Sequence, residues 1–214
     1  MVYMIGVFGG SFDPIHFGHI KPVIKLSEEF CFEEIYLIPC FISPTSKDII
    51  ASAEHRFKMA SIVCSSHFNN IKCDAREINR KGTSYSYDTI IDLKKEKNLK
   101  NSPLCLILGL DVFLNFEKWY NYRNILDEAN IIVINRPNNT EDKINSMSDF
   151  IQNKLLKNKE DFLKKKNGGI YLYSGLSIES SSSNIRSMIK KGNEPTGLIP
   201  GSIWNYIKRN KLYS

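Results

Sequence analysis

The sequence predicts an α/β chain: a doubly wound parallel sheet with helices on both faces. Two observations lead there. Apolar runs of strand length recur along the chain, and most are continuous rather than alternating, as strands covered on both faces read. Between them lie segments with apolar residues at helical spacing, and strands alternating with helices close into a parallel, Rossmann-like sheet.

The elements follow in order. Val2 to Phe8 reads as the first strand, and Ile20, Val23 and Ile24 stripe the helix after it. Ile35 to Cys40 is the second strand, followed by a helix striped by Phe57, Ala60 and Cys64. Ile71 to Ile78 is the third. A helix opened by Tyr87, Ile90 and Ile91 runs out into Lys94, Lys95 and Lys97. Leu104 to Leu108, Ile131 to Asn135 and Ile170 to Tyr173 complete the set of strands. Residues 138 to 169 are a polar outlier, read as an exposed helix carrying Ile151, Leu155 and Phe162 on one side and closed by Gly168-Gly169. The expectation is one domain over 1–214, with 138–169 an insertion packed on the sheet.

Composition narrows the function less than the fold. With 42% hydrophobic and 24% charged residues the chain reads as an ordinary globule. No apolar run approaches a membrane span and the start lacks a signal-peptide pattern, so a soluble, cytoplasmic protein without membrane contact is expected. Cys31, Cys40, Cys64, Cys73 and Cys105 are spread without a CxxC pair and read as reduced thiols. The net charge of +6 is heaviest over Lys154 to Lys166 and Lys190 to Lys211; it suits an anionic small molecule, a nucleic acid or a solvated surface, and charge alone does not choose.

The chemistry concentrates in residues 9 to 19, GGSFDPIHFGH, directly after the first strand. A parallel sheet binds ligands at the C-terminal ends of its strands. Gly9 and Gly10 sit there, able to adopt positive φ and bring bare N–H groups up to a ligand. A helix beginning near Phe17 points its positive end into the same crevice, and His16 and His19, three apart, share one face of its first turn. N–H donors, a helix dipole and two imidazoles suit a polyphosphate whose charge moves onto bridging and leaving oxygens.

That stretch resembles the HxGH nucleotidylyltransferase superfamily, and further segments resemble its bacterial-type nicotinate mononucleotide adenylyltransferases. IPCFISPTSK (38–47) is similar to an IPxxxPPHK loop, with Thr45 and Ser46 as departures; His55-Arg56 is similar to an HR pair, and TSYSYDT (83–89) to an SYTxDT segment. LILGLDVFLNFEKWYNYRNIL (106–126) resembles a strand, a GAD turn and a WxxWxxIL helix carrying Trp119, with Leu110, Val112 and Tyr122 as departures. IIVINRP (131–137) resembles a strand ending in Arg-Pro, IESSSSNIRSMIKKG (178–192) an ISSTxIR motif with Ser180 in place of Ile, and residues 197–213 an LVPxxVxxYIxxxxLY segment.

The resemblance implies transfer of the adenylyl group of ATP to nicotinate mononucleotide, with Mg²⁺ bound mainly through ATP and no protein metal site. It implies that His16, His19, Lys47 and Arg186 stabilise the transferring phosphates. Substrate contacts are expected from Gly9, Gly10, Ser11, Phe12, Ser84, Tyr85, Thr89, Gly109, Asp111, Trp119, Tyr120, Arg136, Ser181 and Ser183. Partners are then small molecules and not nucleic acid, with the oligomeric state open. Another HxGH enzyme, using nicotinamide mononucleotide or pantetheine phosphate, and a non-catalytic nucleotide-binding module are the alternatives.

Overall fold

The computed structural model describes residues 3–30, 32–45, 48–67, 70–96, 99, 101–135, 144–174 and 180–214. Among them, strands β1 (Met4–Gly10), β2 (Phe32–Pro39), β3 (Ile71–Cys73), β4 (Leu104–Gly109), β5 (Ala129–Ile134), β6 (Leu155–Leu156) and β7 (Ile170–Tyr173) form one sheet in the order β3-β2-β1-β4-β5-β7-β6. Every pairing is parallel. Strand order reverses between β1 and β4, so the crossovers on either side diverge there and leave a crevice at the strands' C-terminal ends. The β1–β4 pairing ends at Val7 and Leu106, and beyond it Gly10 pairs with Pro39 of β2 and Gly109 with Ile134 of β5.

Both faces are covered, which is why the strands read as continuous apolar runs. Along β1, Met4 and Phe8 join one buried cluster and Ile5 and Val7 the other. The first face packs against α1 (Phe17–Glu29), α2 (Ala53–His67), α9 (Ser182–Lys190) and α10 (Gly201–Arg209). The second packs against α4 (Ser86–Lys95), α5 (Leu110–Phe113), a 3-10 turn (Phe116–Lys118) and α6 (Tyr122–Glu128).

Four sequence expectations are corrected. The third strand stops at Cys73 instead of Ile78, because the Asp74 carboxylate accepts the Arg76 N–H at 2.7 Å and starts α3 (Arg76–Arg80). The buried stripe of α2 is Arg56, Met59, Ala60 and Val63, while Phe57 and Cys64 are only half-buried. The single helix expected across Ile151, Leu155 and Phe162 is instead α7 (Asp149–Gln152), edge strand β6 and α8 (Lys159–Leu163). Ile151 is buried on one face of the sheet and Phe162 on the other.

Trp119 is not on a helix: it follows the 3-10 turn in extended conformation, and α6 begins only after Asn121, at φ 52. Asn130, fully buried in β5, holds residues 165–169, the end of the polar segment that leads into β7. Its amide donates to the Lys165 carbonyl at 2.9 Å and its oxygen accepts the Gly169 N–H at 2.9 Å.

Candidate active site

β1 delivers its C-terminal glycines into the crevice in strand geometry. Positive φ occurs at Phe12 (48°) and not at Gly9 or Gly10, which corrects the expectation from the Gly-Gly pair. Room replaces conformational freedom as the reason for glycine at the edge. A Cβ on Gly9 would find nothing nearer than the Ile38 carbonyl at 4.0 Å, and one on Gly109 nothing within 4 Å, so both backbones stay open to a ligand. Gly10 instead carries the Phe12 ring at 3.0 Å from where its Cβ would lie.

After the turn, His16 caps α1 and His19 occupies its third position, the rings stacked with centroids 3.8 Å apart at 30°. The His16 N–H donates to His19 Nδ1 at 3.3 Å, so a neutral His19 carries its ring proton on Nε2. Phe12, fully buried, holds the other side of His19 edge-on at 5.2 Å. The intervening glycine is required sterically: a Cβ at Gly18 would stand 2.9 Å from two atoms of the His16 ring. Gly18→Ala is therefore expected to keep the fold, since alanine favours a helix, while displacing His16 and lowering kcat/KM about 10- to 100-fold. Thermal unfolding beside steady-state kinetics checks the separation.

α9 brings the second half of the site onto this turn. Ser181 caps the helix, its hydroxyl accepting the Asn184 N–H at 3.2 Å, and Ser181 and Ser183 are exposed at its positive end. Ser182 Oγ donates to the Pro14 carbonyl at 3.1 Å and Arg186 Nη1 to the Asp13 carbonyl at 2.8 Å, docking that end against the histidine turn. At the other end the Gly192 N–H reaches the Ile189 carbonyl and the Asn193 N–H the Met188 carbonyl, a Schellman stop with Gly192 at φ 77.

Two residues absent from the expected contact set hold these pieces. Asp13, 1% exposed, accepts from the Ile50 and Ala51 N–H groups and the Tyr213 hydroxyl. Arg56, 1% exposed, donates from Nη1 to the Ser11 carbonyl at 2.8 Å, from Nη2 to the Phe41 carbonyl at 3.1 Å and from Nε to the Ala51 carbonyl at 3.2 Å. Phe41 in turn donates its N–H to Ser84 Oγ at 2.9 Å. A hydrogen-bonded path thus runs from the β1 turn through Arg56 to the start of α4. An open cleft of about 730 Å³ lies along the same loop, lined by Phe41, Ile42, Ile50, Glu54 and Arg56.

The aromatic side of the site lies beyond that path. Tyr120, 52% exposed, packs against Tyr85 at 4.9 Å and Tyr87 at 6.2 Å. Trp119 is half-buried against Phe116 at 5.6 Å, and Asp111 is exposed at the start of α5. Lys47 and Arg136 lie outside the described residues.

Three expected contact residues are buried in the protein's own structure. The Phe12 side chain is core, so only its backbone could meet a ligand. Ser84 is spent on the Phe41 N–H, and its own N–H donates to the Ile42 carbonyl at 2.9 Å. Thr89, 2% exposed, donates to Glu77 Oε1 at 2.6 Å and accepts from Arg80 at 3.1 Å; burial pushes the Glu77 carboxyl above its ordinary range and the hydroxyls around it pull it back. Thr89→Val is expected to cost about 1–3 kcal/mol of stability by leaving Glu77 short of a donor, with the KM of both substrates unchanged. Urea unfolding and steady-state kinetics on the same preparation separate the two effects.

The similarity to known proteins runs over most of the chain. The cytidylyltransferase-like family model matches residues 7–188, from within β1 to the last turns of α9. A probable nicotinate-nucleotide adenylyltransferase of Psychromonas ingrahamii is 33% identical over 98% of this chain and 96% of its own. One of Methylococcus capsulatus is 29% identical over 99% of this chain and 100% of its own. Among solved structures, Plasmodium falciparum nicotinic acid mononucleotide adenylyltransferase complexed with NaAD superposes with a TM-score of 0.73 at 24% identity, covering 99% of this chain and 97% of that one; at that identity it bears on the fold alone.

Proposed function

We propose that this chain, which belongs to the cytidylyltransferase-like family, is a nicotinate-nucleotide adenylyltransferase that moves the adenylyl group of ATP onto nicotinate mononucleotide in NAD biosynthesis. The observation that carries the reading is the stacked His16–His19 pair at the switch point of the sheet, with the N-terminal end of α9 and Arg186 docked on the same turn.

A phosphate oxygen of the mononucleotide attacks the α-phosphorus of ATP; the bond from that phosphorus to the α,β-bridging oxygen breaks, and its electron pair leaves with pyrophosphate. The nucleophile is already an oxyanion at neutral pH, so no side chain need supply a nucleophile or a general base. What remains is alignment and stabilisation of charge. His16 and His19 donate to the transferring and bridging oxygens. Lys47, Arg186 and the exposed Ser181 and Ser183 at the positive end of α9 meet the β- and γ-phosphates. Gly9, Gly10, Ser11 and Phe12 offer backbone at the crevice floor, and Gly109, Asp111 and Arg136 border the nucleoside. Trp119, Tyr85 and Tyr120 give the pyridine ring flat faces.

Mg²⁺ enters as part of the ATP substrate. Both oxygens of Asp13 already accept from protein donors, and among the described residues no three His, Cys, Asp or Glu side chains converge.

The chain is read as a single domain acting in the cytoplasm on small molecules. Among the described residues no helix is long and apolar enough to cross a membrane. The acid is the expected pyridine, because α4 starts without a side-chain cap beside Tyr85 and Tyr120, leaving first-turn N–H groups for a carboxylate. Paired assays with MgATP and either nicotinate or nicotinamide mononucleotide test it. A clear kcat/KM preference for the acid is expected; equal use of both removes the carboxylate site, and turnover of neither by folded protein removes the reaction.

A further inference from the structure

Asp13 is the point on which four stretches of chain close, and one of them has no part in the transfer as described. Oδ2 accepts the Ile50 N–H at 2.7 Å; Oδ1 accepts the Ala51 N–H at 3.0 Å and the Tyr213 hydroxyl at 2.7 Å. Arg186 Nη1 stands 3.6 Å from Oδ2 while donating to the Asp13 carbonyl at 2.8 Å. His16 follows three residues later, with Pro14 between them held by Ser182. The same carboxylate therefore sets the histidine turn and the docking of α9.

Tyr213 lies in the segment after α10 and is 8% exposed. Its own φ is 67° and that of Lys211 is 50°, a region disfavoured for any residue carrying a Cβ, so the surroundings must impose this path. They do so at several points. The Leu212 N–H donates to the Ile207 carbonyl at 3.1 Å, Leu212 packs on the core, and Tyr206 of α10 bonds His55 Nδ1 of α2 at 2.9 Å. Burial, and then the Asp13 charge, hold the Tyr213 phenol well above its ordinary range, so the hydroxyl keeps its proton and remains a donor.

We propose that Tyr213 is a positioning residue for the adenylyl transfer: its hydroxyl, acting through Asp13, fixes the 13–16 turn and so places His16 and the N-terminal end of α9 on the reacting phosphates. The inference rests on the function proposed above. Without the hydroxyl, Oδ1 retains only the Ala51 N–H, and the carboxylate turns toward the guanidinium 3.6 Å away. A direct ion pair then competes with the Arg186 bond to the Asp13 carbonyl, and the two phosphate-facing elements shift together. Binding surfaces survive that change better than alignment does, so the loss falls on kcat.

Tyr213→Phe keeps the ring and deletes the hydroxyl; Leu212→Ala loosens the same segment and keeps it. The pair is compared with the wild-type chain by steady-state kinetics with MgATP and nicotinate mononucleotide, well below each variant's Tm, and by the imidazole NMR resonances of His16. Tyr213→Phe is expected to lose about tenfold in kcat with KM little changed, and to move the His16 resonances. Leu212→Ala should lower Tm while kcat and His16 stay in place. Wild-type kcat in Tyr213→Phe, or an equal kcat loss in Leu212→Ala, overturns the proposal. If the wild-type chain turns over no mononucleotide, the functional reading fails by itself, and the His16 resonances in Tyr213→Phe still decide whether the hydroxyl sets the turn.

Discussion

On the function proposed above, replacing His19 by alanine is expected to lower kcat/KM about 10²- to 10³-fold, mostly in kcat, with little change in Tm. The magnitude is that of one preorganised donor removed from a site where charge develops in the transition state. His19 is the informative one of the pair: it is half-buried, whereas His16 is 4% exposed and caps α1, so its loss would mix structural and chemical effects. One complication is that alanine also removes the acceptor of the His16 N–H. His19→Asn separates the two effects, since its side-chain oxygen can take that N–H while the chain ends short of the Nε2 position. Equal losses in the alanine and asparagine variants assign the effect to the Nε2 donor. Recovery of most activity by asparagine assigns it to the bond with His16, and the catalytic role of His19 is then withdrawn. Kinetics at saturating ATP, with circular dichroism on both variants, decide between them.

The alternation of strands and helices was legible because β1, β4, β5 and β7 are apolar on both faces and need no partner to be recognised. Elements failed where one polar side chain overrode the local pattern. Asp74 ends β3 by taking a backbone N–H, and Arg56 occupies the buried stripe of α2, which moves the apparent stripe one residue along to Phe57. Leu155-Leu156 is too short to announce an edge strand and becomes one only because β7 lies beside it. The ends of the site were visible in short motifs, but the residues that join them were not. Asp13 meets partners 37, 38, 173 and 200 positions away, and no spacing rule carries information over that range. Thr89 shows the opposite error: a motif residue at a helix start looks available for a ligand until Glu77, twelve positions earlier, is found to hold it.

Arg56→Met is expected to cost about 2–4 kcal/mol of stability and to lower kcat/KM about 100-fold even well below the transition temperature. Methionine fits the stripe beside Met59 and Ala60, so the loss comes from three carbonyls, those of Ser11, Phe41 and Ala51, deprived of their donor at once. A domain with ordinary stability survives this at 25 °C, which allows the folded variant to be assayed. The kinetic effect has a separate cause. Ser11 belongs to the turn that carries His16, whereas Phe41 is bonded to Ser84 at the start of α4 on the aromatic side of the site. On the function proposed above, the guanidinium is the link that would fix the phosphate side against the pyridine side, the separation on which in-line attack depends. Arg56→Lys sharpens the test: it restores charge and stem length but cannot direct donors to three carbonyls from one plane. If the geometry sets the rate, lysine recovers part of the stability and little of the kcat/KM. Wild-type kinetics in the lysine variant would mean that a buried cation alone suffices and that the two halves are held together by other contacts.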